Sequence, residues 1–120
     1  MAIVYDIIHE GSFLRVISQG AIDNLGDIAG YAADVHQAAT RSTCRKLLID
    51  ETQLKNQLSI SDLYNAAEMI SLADYPIVKA AFCGSQACEQ FIQFWENAMV
   101  NRGRYVRCFG SIAEAEAWLG

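Results

Sequence analysis

The sequence has 120 residues, which is enough for one domain with a hydrophobic core and too few for two ordinary domains. Its hydrophobic fraction of 52% and charged fraction of 19% are typical of a globular protein and exclude a disordered chain. The net charge of −5 disfavours binding to nucleic-acid phosphates, and no apolar run is long enough for a membrane span. The N-terminus lacks the pattern of a secretory signal, so we predict a cytoplasmic protein.

The chain opens with a predicted β-hairpin. Residues 3–8 and residues 13–18 are two β-like runs. The short loop between them contains His9, which we interpret as a turn residue, and Gly11, which suits a tight turn. We therefore expect an antiparallel pair of strands at the start of the domain.

The period then becomes helical. Asn24 is the predicted N-cap, and Asp27 in the first turn suits the helix dipole. His36 lies close to the apolar stripe, and without identifiable partners we interpret it as a structural histidine at the edge of the core. The stripe recurs every three or four residues, and its predicted members are Leu25, Ile28, Ala29, Ala32, Val35 and Ala39.

The central part of the chain alternates strand and helix. Residues 46–50 read as a buried strand, and a polar loop leads from it into a helix over residues 61–74. Pro76 ends that helix, and residues 77–83 form the next predicted strand. The core-facing residues predicted for this helix are Ile60, Leu63, Tyr64, Ala67 and Ile70.

A third helix, a strand and a terminal helix complete the prediction. The third helix begins at Gly84 and extends to about residue 102, and a strand follows over residues 104–109. Ser111 with Glu114 forms a capping box that opens the last helix. In the third helix, the core-facing set is Ala87, Phe91, Phe94, Trp95, Ala98 and Met99, and the solvent-facing set is Glu89, Gln93 and Glu96.

The predicted order of elements is β-β-α-β-α-β-α-β-α. Strands that alternate with helices require right-handed crossovers and a largely parallel sheet. The fold class is therefore α/β, with a mixed five-stranded sheet made of an N-terminal antiparallel hairpin plus parallel strands, covered by about four helices. We assign residues 1–120 to this single domain.

Three stretches also carry a resemblance to a known family. They are the opening hairpin "YDIIHEGSFLRVISQGAID", the strand, loop and helix "KLLIDETQLKNQLSISDLY", and the closing "RYVRCFGSIAEAEAWLG". In pattern and order, the chain resembles the SpoIIAA-like branch of the STAS superfamily (sulfate transporter and anti-sigma factor antagonist domains). The resemblance implies a SpoIIAA-like fold and a non-enzymatic regulatory or protein-interaction domain that binds a partner protein.

The same resemblance points to Ser59 and Ser61. Anti-sigma antagonists of the superfamily are switched by phosphorylation at the start of the helix after the central strand, so these serines are the candidate phosphoacceptors or partner contacts. The family's Ser-Ser-Gly is absent here, because the region reads Leu-Ser-Ile-Ser-Asp. A helix N-terminus stabilises an added phosphate charge, but serine is also one of the best N-caps. We favour capping as the interpretation.

A second function class follows from Sec14-type relatives of the fold, which carry lipids. In that alternative the domain binds or carries a small apolar ligand, and Tyr64, Phe91 and Trp95 line its pocket. An unidentified protein partner is the main expectation, and a homodimer and an apolar ligand stay open beside it. We predict no enzymatic activity, no catalytic residue, no cofactor and no metal site.

Two further motifs could carry chemistry. Asp50 and Glu51 end the predicted central strand, where α/β sheets place ligand sites, but neighbouring strand residues point to opposite faces. The stretch "FCGSQACEQF" places Cys88 in the first turn of a helix, where a thiol pKa can fall. Neither motif has an identifiable base or nucleophile beside it. We therefore interpret Asp50 and Glu51 as a solvated strand end, and the second stretch as capping by Ser85 with burial of Cys88.

The remaining candidates are basic and thiol side chains. Arg102, Arg104 and Arg107 form a basic cluster, which we interpret as a local salt-bridge patch. The four cysteines are Cys44, Cys83, Cys88 and Cys108, and they show no zinc-ligand spacing. We expect all four to be reduced.

Overall fold

The protein is built on one five-stranded sheet whose strands lie side by side in chain order. The strands are β1 (Val4–Glu10), β2 (Phe13–Ile22), β3 (Lys46–Asn56), β4 (Lys79–Gly84) and β5 (Val106–Phe109). The structure is a computed structural model that describes residues 3–42, 44–56, 58–59, 61–62, 64–66, 68, 77, 79–84, 96–97, 99–100 and 105–120.

The sheet is mixed, as predicted. β1 and β2 pair antiparallel, and β2, β3, β4 and β5 pair in parallel. The helices described over their full length are α1 (Leu25–Arg41) and α2 (Ile112–Leu119). Residues 61–62, 64–66 and 68, and residues 96–97 and 99–100, are also helical, in the places predicted for the second and third helices.

The hairpin is tighter than the sequence indicated. β1 continues to Glu10, which pairs with Phe13, so His9 lies in the strand opposite Leu14 and the prediction of a turn residue is wrong. Two residues suffice for the turn because Gly11 has a φ of 59°, as the first position of a II′ turn requires.

The predicted polar loop after residue 50 is instead strand. β3 continues to Asn56 because its second half pairs with the end of β2, which reaches Ile22 where the sequence predicted an end at residue 18. Asp50 and Glu51 therefore lie within the strand and are both half-buried, so the prediction of a solvated strand end is wrong. A register shift lets Gln19 pair with Gln53, so that β3 contributes one extra residue there, as in a β-bulge.

The two faces of the sheet are covered unequally. The larger core cluster lies on the α1 face and includes residues of β2, β3, β4 and β5 together with Ala66 and Met99. On the opposite face α2 packs over β3, β4 and β5. The smaller cluster there consists of Leu48, Ala81, Ala115 and Leu119, with Phe13, Phe109, Ile112 and Trp118 packed against it.

Several predictions of helix faces need correction. In α1 the buried positions are Ile28, Tyr31, Val35 and Ala39, so Tyr31 takes the place that the sequence analysis gave to Ala29, which is exposed. The spacing of three residues between Ile28 and Tyr31 fits the helical period. The sequence prediction omitted Tyr31 because it counted only aliphatic residues in the apolar stripe. Glu96 is half-buried and accepts a hydrogen bond from the Cys108 N–H, so it does not face solvent.

The predicted starts of α1 and α2 are confirmed, whereas Gly84, the predicted start of the third helix, is the last residue of β4. The Asn24 side chain accepts a hydrogen bond from the Asp27 N–H at 2.9 Å, and the Ser111 hydroxyl accepts one from the Glu114 N–H at 3.2 Å. Each bond satisfies a backbone donor that has no partner inside the helix. Across the described part of the chain, no helix combines the length and the apolar character needed to cross a membrane.

Candidate functional site

A chain of polar side chains lies between α1 and the sheet. The Tyr31 hydroxyl is 3.3 Å from the Ser18 hydroxyl of β2 and 3.2 Å from a carboxyl oxygen of Glu51 in β3. The Ser18 hydroxyl in turn donates to the backbone carbonyl of Asp50 at 3.3 Å. Ser18 and Tyr31 are buried and Glu51 is half-buried. These contacts join α1, β2 and β3 under the centre of the helix.

A second tyrosine supports this chain from the edge strand. The ring of Tyr5 in β1 packs on the ring of Tyr31, with centroids 4.9 Å apart and planes tilted by 47°. The Tyr5 hydroxyl donates a hydrogen bond to the Asp34 carboxylate one turn further along α1. Burial and that carboxylate raise the pKa of Tyr5 to about 12. Tyr5 therefore holds α1 and Tyr31 in place without titrating near neutral pH.

Burial dominates the electrostatics of the polar chain. It raises the pKa of the Glu51 carboxyl from 4.5 to about 7, with the Asp50 charge adding to the shift and the bond from Tyr31 opposing it. Burial also raises the pKa of the Tyr31 hydroxyl, and the Glu51 charge adds to it. A half-buried carboxyl whose pKa lies near neutral pH is a candidate for a functional role.

Asp50 does not share that site. Ile49 belongs to the core on the α1 face, so the alternation of strand side chains turns Asp50 toward the opposite face. Its carboxylate accepts bonds from the Thr52 N–H at 3.1 Å and the Thr52 hydroxyl at 2.7 Å. The two neighbouring acids therefore occupy different environments, as the sequence analysis expected.

The second feature is an exposed patch on the hairpin, on the face opposite α1. Val4, Ile8 and Ile17 retain 57%, 41% and 37% of their accessible surface. Asp6 lies among them, because it is directly opposite Ile17 in the strand pairing and two residues from both Val4 and Ile8. We call these four side chains the hairpin face.

The border of the hairpin face is fixed by one arginine. Arg15 donates to Glu10 of β1 at 2.6 Å and to Glu116 of α2 at 2.7 Å. Both of its acidic partners are thereby engaged, whereas the Asp6 carboxylate forms no hydrogen bond or ion pair with any residue that the structure describes. The hairpin face therefore combines three apolar side chains with one unpaired negative charge.

Comparison with solved structures identifies the fold. The chain is similar to the crystal structure of an uncharacterized protein of the DUF3478 family from Shewanella loihica PV-4, which has a SpoIIAA-like fold. The TM-score is 0.63 at 16% identity, and the match covers 99% of this chain and 94% of the other. This chain has a SpoIIAA-like fold. No protein-family model matches the sequence, and no curated protein is similar to it at a significant level.

Within the SpoIIAA-like fold, Ser59 and Ser61 stand at the start of the helical segment after the central strand, where the sequence analysis placed them. The Ser59 hydroxyl accepts a hydrogen bond from the Asp62 N–H at 3.1 Å, which is the geometry of an N-cap. Ser61 is an exposed helical residue. The structure thus gives Ser59 a capping bond, and phosphorylation of either serine stays a prediction.

Of the three predicted ligand-lining residues, Tyr64 is the one that lies among the described residues of this SpoIIAA-like fold. Tyr64 is 51% exposed, so its predicted place in the core is wrong, whereas Ala66, two residues later, is buried. Phe91 and Trp95 lie outside the described residues. A pocket lined by these three side chains stays a prediction.

The thiols and the basic cluster occupy structural positions. Cys44, Cys83 and Cys108 are not in disulfide bonds, and burial raises the pKa of Cys83 and Cys108. Arg107 is exposed and lies over the Phe109 ring at 5.6 Å. Cys88, Arg102 and Arg104 lie outside the described residues, and among those that are described no three His, Cys, Asp or Glu side chains are grouped to hold a metal ion.

Proposed function

We propose that this protein is a non-enzymatic interaction domain that binds a protein partner through the hairpin face. The supporting observation is that Val4, Ile8 and Ile17 stay exposed on the side of the sheet where α2 packs over β3, β4 and β5. Single exposed apolar residues are ordinary on protein surfaces. Three of them lie beside one another on the same face around the Asp6 carboxylate, which makes the hairpin face the candidate recognition surface.

The charge of the patch defines the partner that it fits. The Asp6 carboxylate forms no ion pair with a described residue, because Arg15 on the same face binds Glu10 and Glu116, and the whole chain carries a net charge of −5. A lysine or arginine flanked by apolar side chains would pair with Asp6 while its neighbours cover Val4, Ile8 and Ile17. Complementary charge of this kind increases the association rate and selects the partner.

The acids of the central strand support a non-enzymatic role. Asp50 and Glu51 face opposite sides of the sheet, so they do not form a pair for acid–base chemistry. The bonds of Glu51 lead inward through Tyr31 and Ser18 to a backbone carbonyl. We therefore propose that the polar chain shapes the fold and that recognition takes place on the hairpin face.

A peptide titration tests the proposal. The probes are extended synthetic peptides that alternate apolar and basic residues, with matched peptides that carry glutamate in place of lysine. We expect the basic peptides alone to shift amide NMR signals, and the shifts to centre on Val4, Asp6, Ile8 and Ile17. The Asp6→Lys variant should no longer bind the basic peptides and should bind the acidic peptides instead.

Asp23→Lys provides the matched control, because Asp23 is an exposed aspartate after β2 and outside the hairpin face. It changes the net charge by the same amount, and we expect it to leave the preference for basic peptides intact. Equal responses to both peptide classes, or shifts centred away from the hairpin, would contradict the proposal.

The alternative of an apolar ligand is tested in the same experiment with a fluorescent fatty acid as the probe. In that alternative the shifts would centre on the segment around Tyr64, the described member of the predicted lining. Binding of the fatty acid there, with no response at the hairpin, would favour a carrier over an interaction domain.

A further inference from the structure

The polar chain under α1 has three oxygen–oxygen contacts, but the hydroxyl groups of Tyr31 and Ser18 provide only two hydrogens for them. Its three contacts are Glu51 to Tyr31, Tyr31 to Ser18, and Ser18 to the Asp50 carbonyl. Tyr31 and Ser18 contribute one hydroxyl hydrogen each, and a carbonyl contributes none. For all three contacts to be hydrogen bonds, the third hydrogen has to come from the Glu51 carboxyl.

The direction of the bonds then follows. A protonated Glu51 donates to the Tyr31 oxygen, Tyr31 donates to Ser18, and Ser18 donates to the Asp50 carbonyl. An ionised Glu51 instead takes the Tyr31 hydrogen, and one of the two remaining contacts is left with facing lone pairs. A buried oxygen pair without a hydrogen is unfavourable, since neither atom can turn to water.

We propose that Glu51 is protonated when this chain of hydrogen bonds is complete, and that its ionisation acts as a pH switch that loosens α1 from the sheet at Tyr31. Tyr31 is the member of the chain that belongs to the helix, while Ser18 and Glu51 belong to the sheet. Glu51 is half-buried, so an ionised side chain can reach water by leaving Tyr31.

The surroundings favour the neutral acid. On the α1 side, the titratable groups next to the polar chain are Tyr31 itself and Asp34. Asp34 accepts a hydrogen bond from Tyr5 of β1, whose ring packs on Tyr31. From the sheet the neighbouring titratable groups are Asp50 in β3 and the Cys108 thiol in β5, and Glu96 lies against that thiol. Among the residues that the structure describes, none of the groups facing Glu51 is a cation, and burial raises its pKa to about 7.

Carbon NMR on uniformly labelled protein provides the first test. We expect the Glu51 carboxyl signal, assigned by its loss in Glu51→Gln, to titrate with a midpoint near 7. The Tyr31 ring carbon that bears the hydroxyl should shift with the same midpoint. That coupled shift should vanish in Glu51→Gln, because an amide N–H donates to Tyr31 at every pH.

Hydrogen exchange tests the effect on α1. After correction for the intrinsic rate, the amides around Tyr31 should lose about tenfold or more in protection between about pH 5 and about pH 9. Glu51→Gln should show constant protection, and because this variant keeps both histidines, His9 and His36, its comparison with the wild type isolates the effect of Glu51.

Glu114→Gln, which removes an exposed carboxylate from the first turn of α2, is the matched control and should behave as the wild type. A Glu51 midpoint near 4.5 would overturn the protonation. A midpoint near 7 with pH-independent protection of α1 would overturn the switch. The wild-type titration decides both questions even if a variant folds poorly.

Discussion

Lys46 and Lys79 are cross-strand partners at the starts of β3 and β4, and both bind the end of α2. The Lys46 ammonium donates to the Leu119 carbonyl at 2.7 Å, and the Lys79 ammonium donates to the Trp118 carbonyl at 2.8 Å. Lys79 also lies 4.4 Å from the centre of the Trp118 ring. The last carbonyls of a helix lack partners within it, and a positive charge there suits the helix dipole. The two strands therefore cap the terminal helix.

This arrangement predicts a stability change. Lys46→Met and Lys79→Met keep an apolar stem and remove the charge, so each should lower the free energy of unfolding by about 1 kcal/mol. Urea unfolding followed by circular dichroism measures it. Lys55→Met, at an exposed position of β3, is the matched control and should change little. Equal effects at all three positions would contradict the capping role.

The cap at Ser59 predicts a different pattern. Ser59→Ala should lower the free energy of unfolding by about 0.5–2 kcal/mol, whereas Ser59→Asp should be nearly neutral because aspartate also caps. Ser61→Ala is the control and should have a small effect. A phosphoswitch would appear instead as an Asp variant that melts normally and loses a partner kinase in pull-downs.

The raised pKa of Glu51 gives stability a defined pH dependence. A carboxyl whose pKa rises from 4.5 to about 7 on folding stabilises the native state below the lower value, and that stabilisation is lost as the pH rises through the upper one. Relative to Glu51→Gln, the wild type should lose about 1–3 kcal/mol across this range. Urea unfolding at a series of pH values measures it, and a constant difference between the two proteins would contradict the prediction.

The glycines of the hairpin and of α1 should respond in opposite directions to alanine. Gly11 has a φ of 59° and open space around it, so Gly11→Ala should destabilise by about 1 kcal/mol through backbone strain alone. Gly30 lies within α1 with equally open space, so Gly30→Ala should stabilise by about 0.5–1 kcal/mol. Thermal melting compares the two, and changes of the same sign would contradict the turn geometry.

The thiols should be inert in the folded protein. Cys44 and Cys83 are buried, and a raised pKa keeps Cys83 and Cys108 in the thiol form. Iodoacetamide labelling with mass spectrometry should therefore modify these residues only after unfolding. Recovery of a Cys83–Cys88 or Cys44–Cys108 disulfide from native protein would show a redox role and contradict the expectation of reduced thiols.

Local signals in the sequence were enough to determine the order of elements and the mixed sheet. The caps at Asn24 and Ser111 and the turn glycine, Gly11, act on neighbours within a few residues, so their effects can be read from the chain. The spacing of apolar residues in the strands and in α1 likewise predicts which face of each element is buried. These short-range preferences placed the hairpin, both capped helices and the SpoIIAA-like order.

The tertiary structure alone decided the features on which function depends. β3 extends to Asn56 because the end of β2 offers it a partner, and no local pattern in its polar residues marks that pairing. Ser18, Tyr31 and Glu51 become one polar chain because α1 lies across the sheet there, and burial then moves the carboxyl pKa. Contacts between residues that are distant in sequence determine which side chains are buried and which charges surround them. A short stretch of sequence carries no information about these contacts.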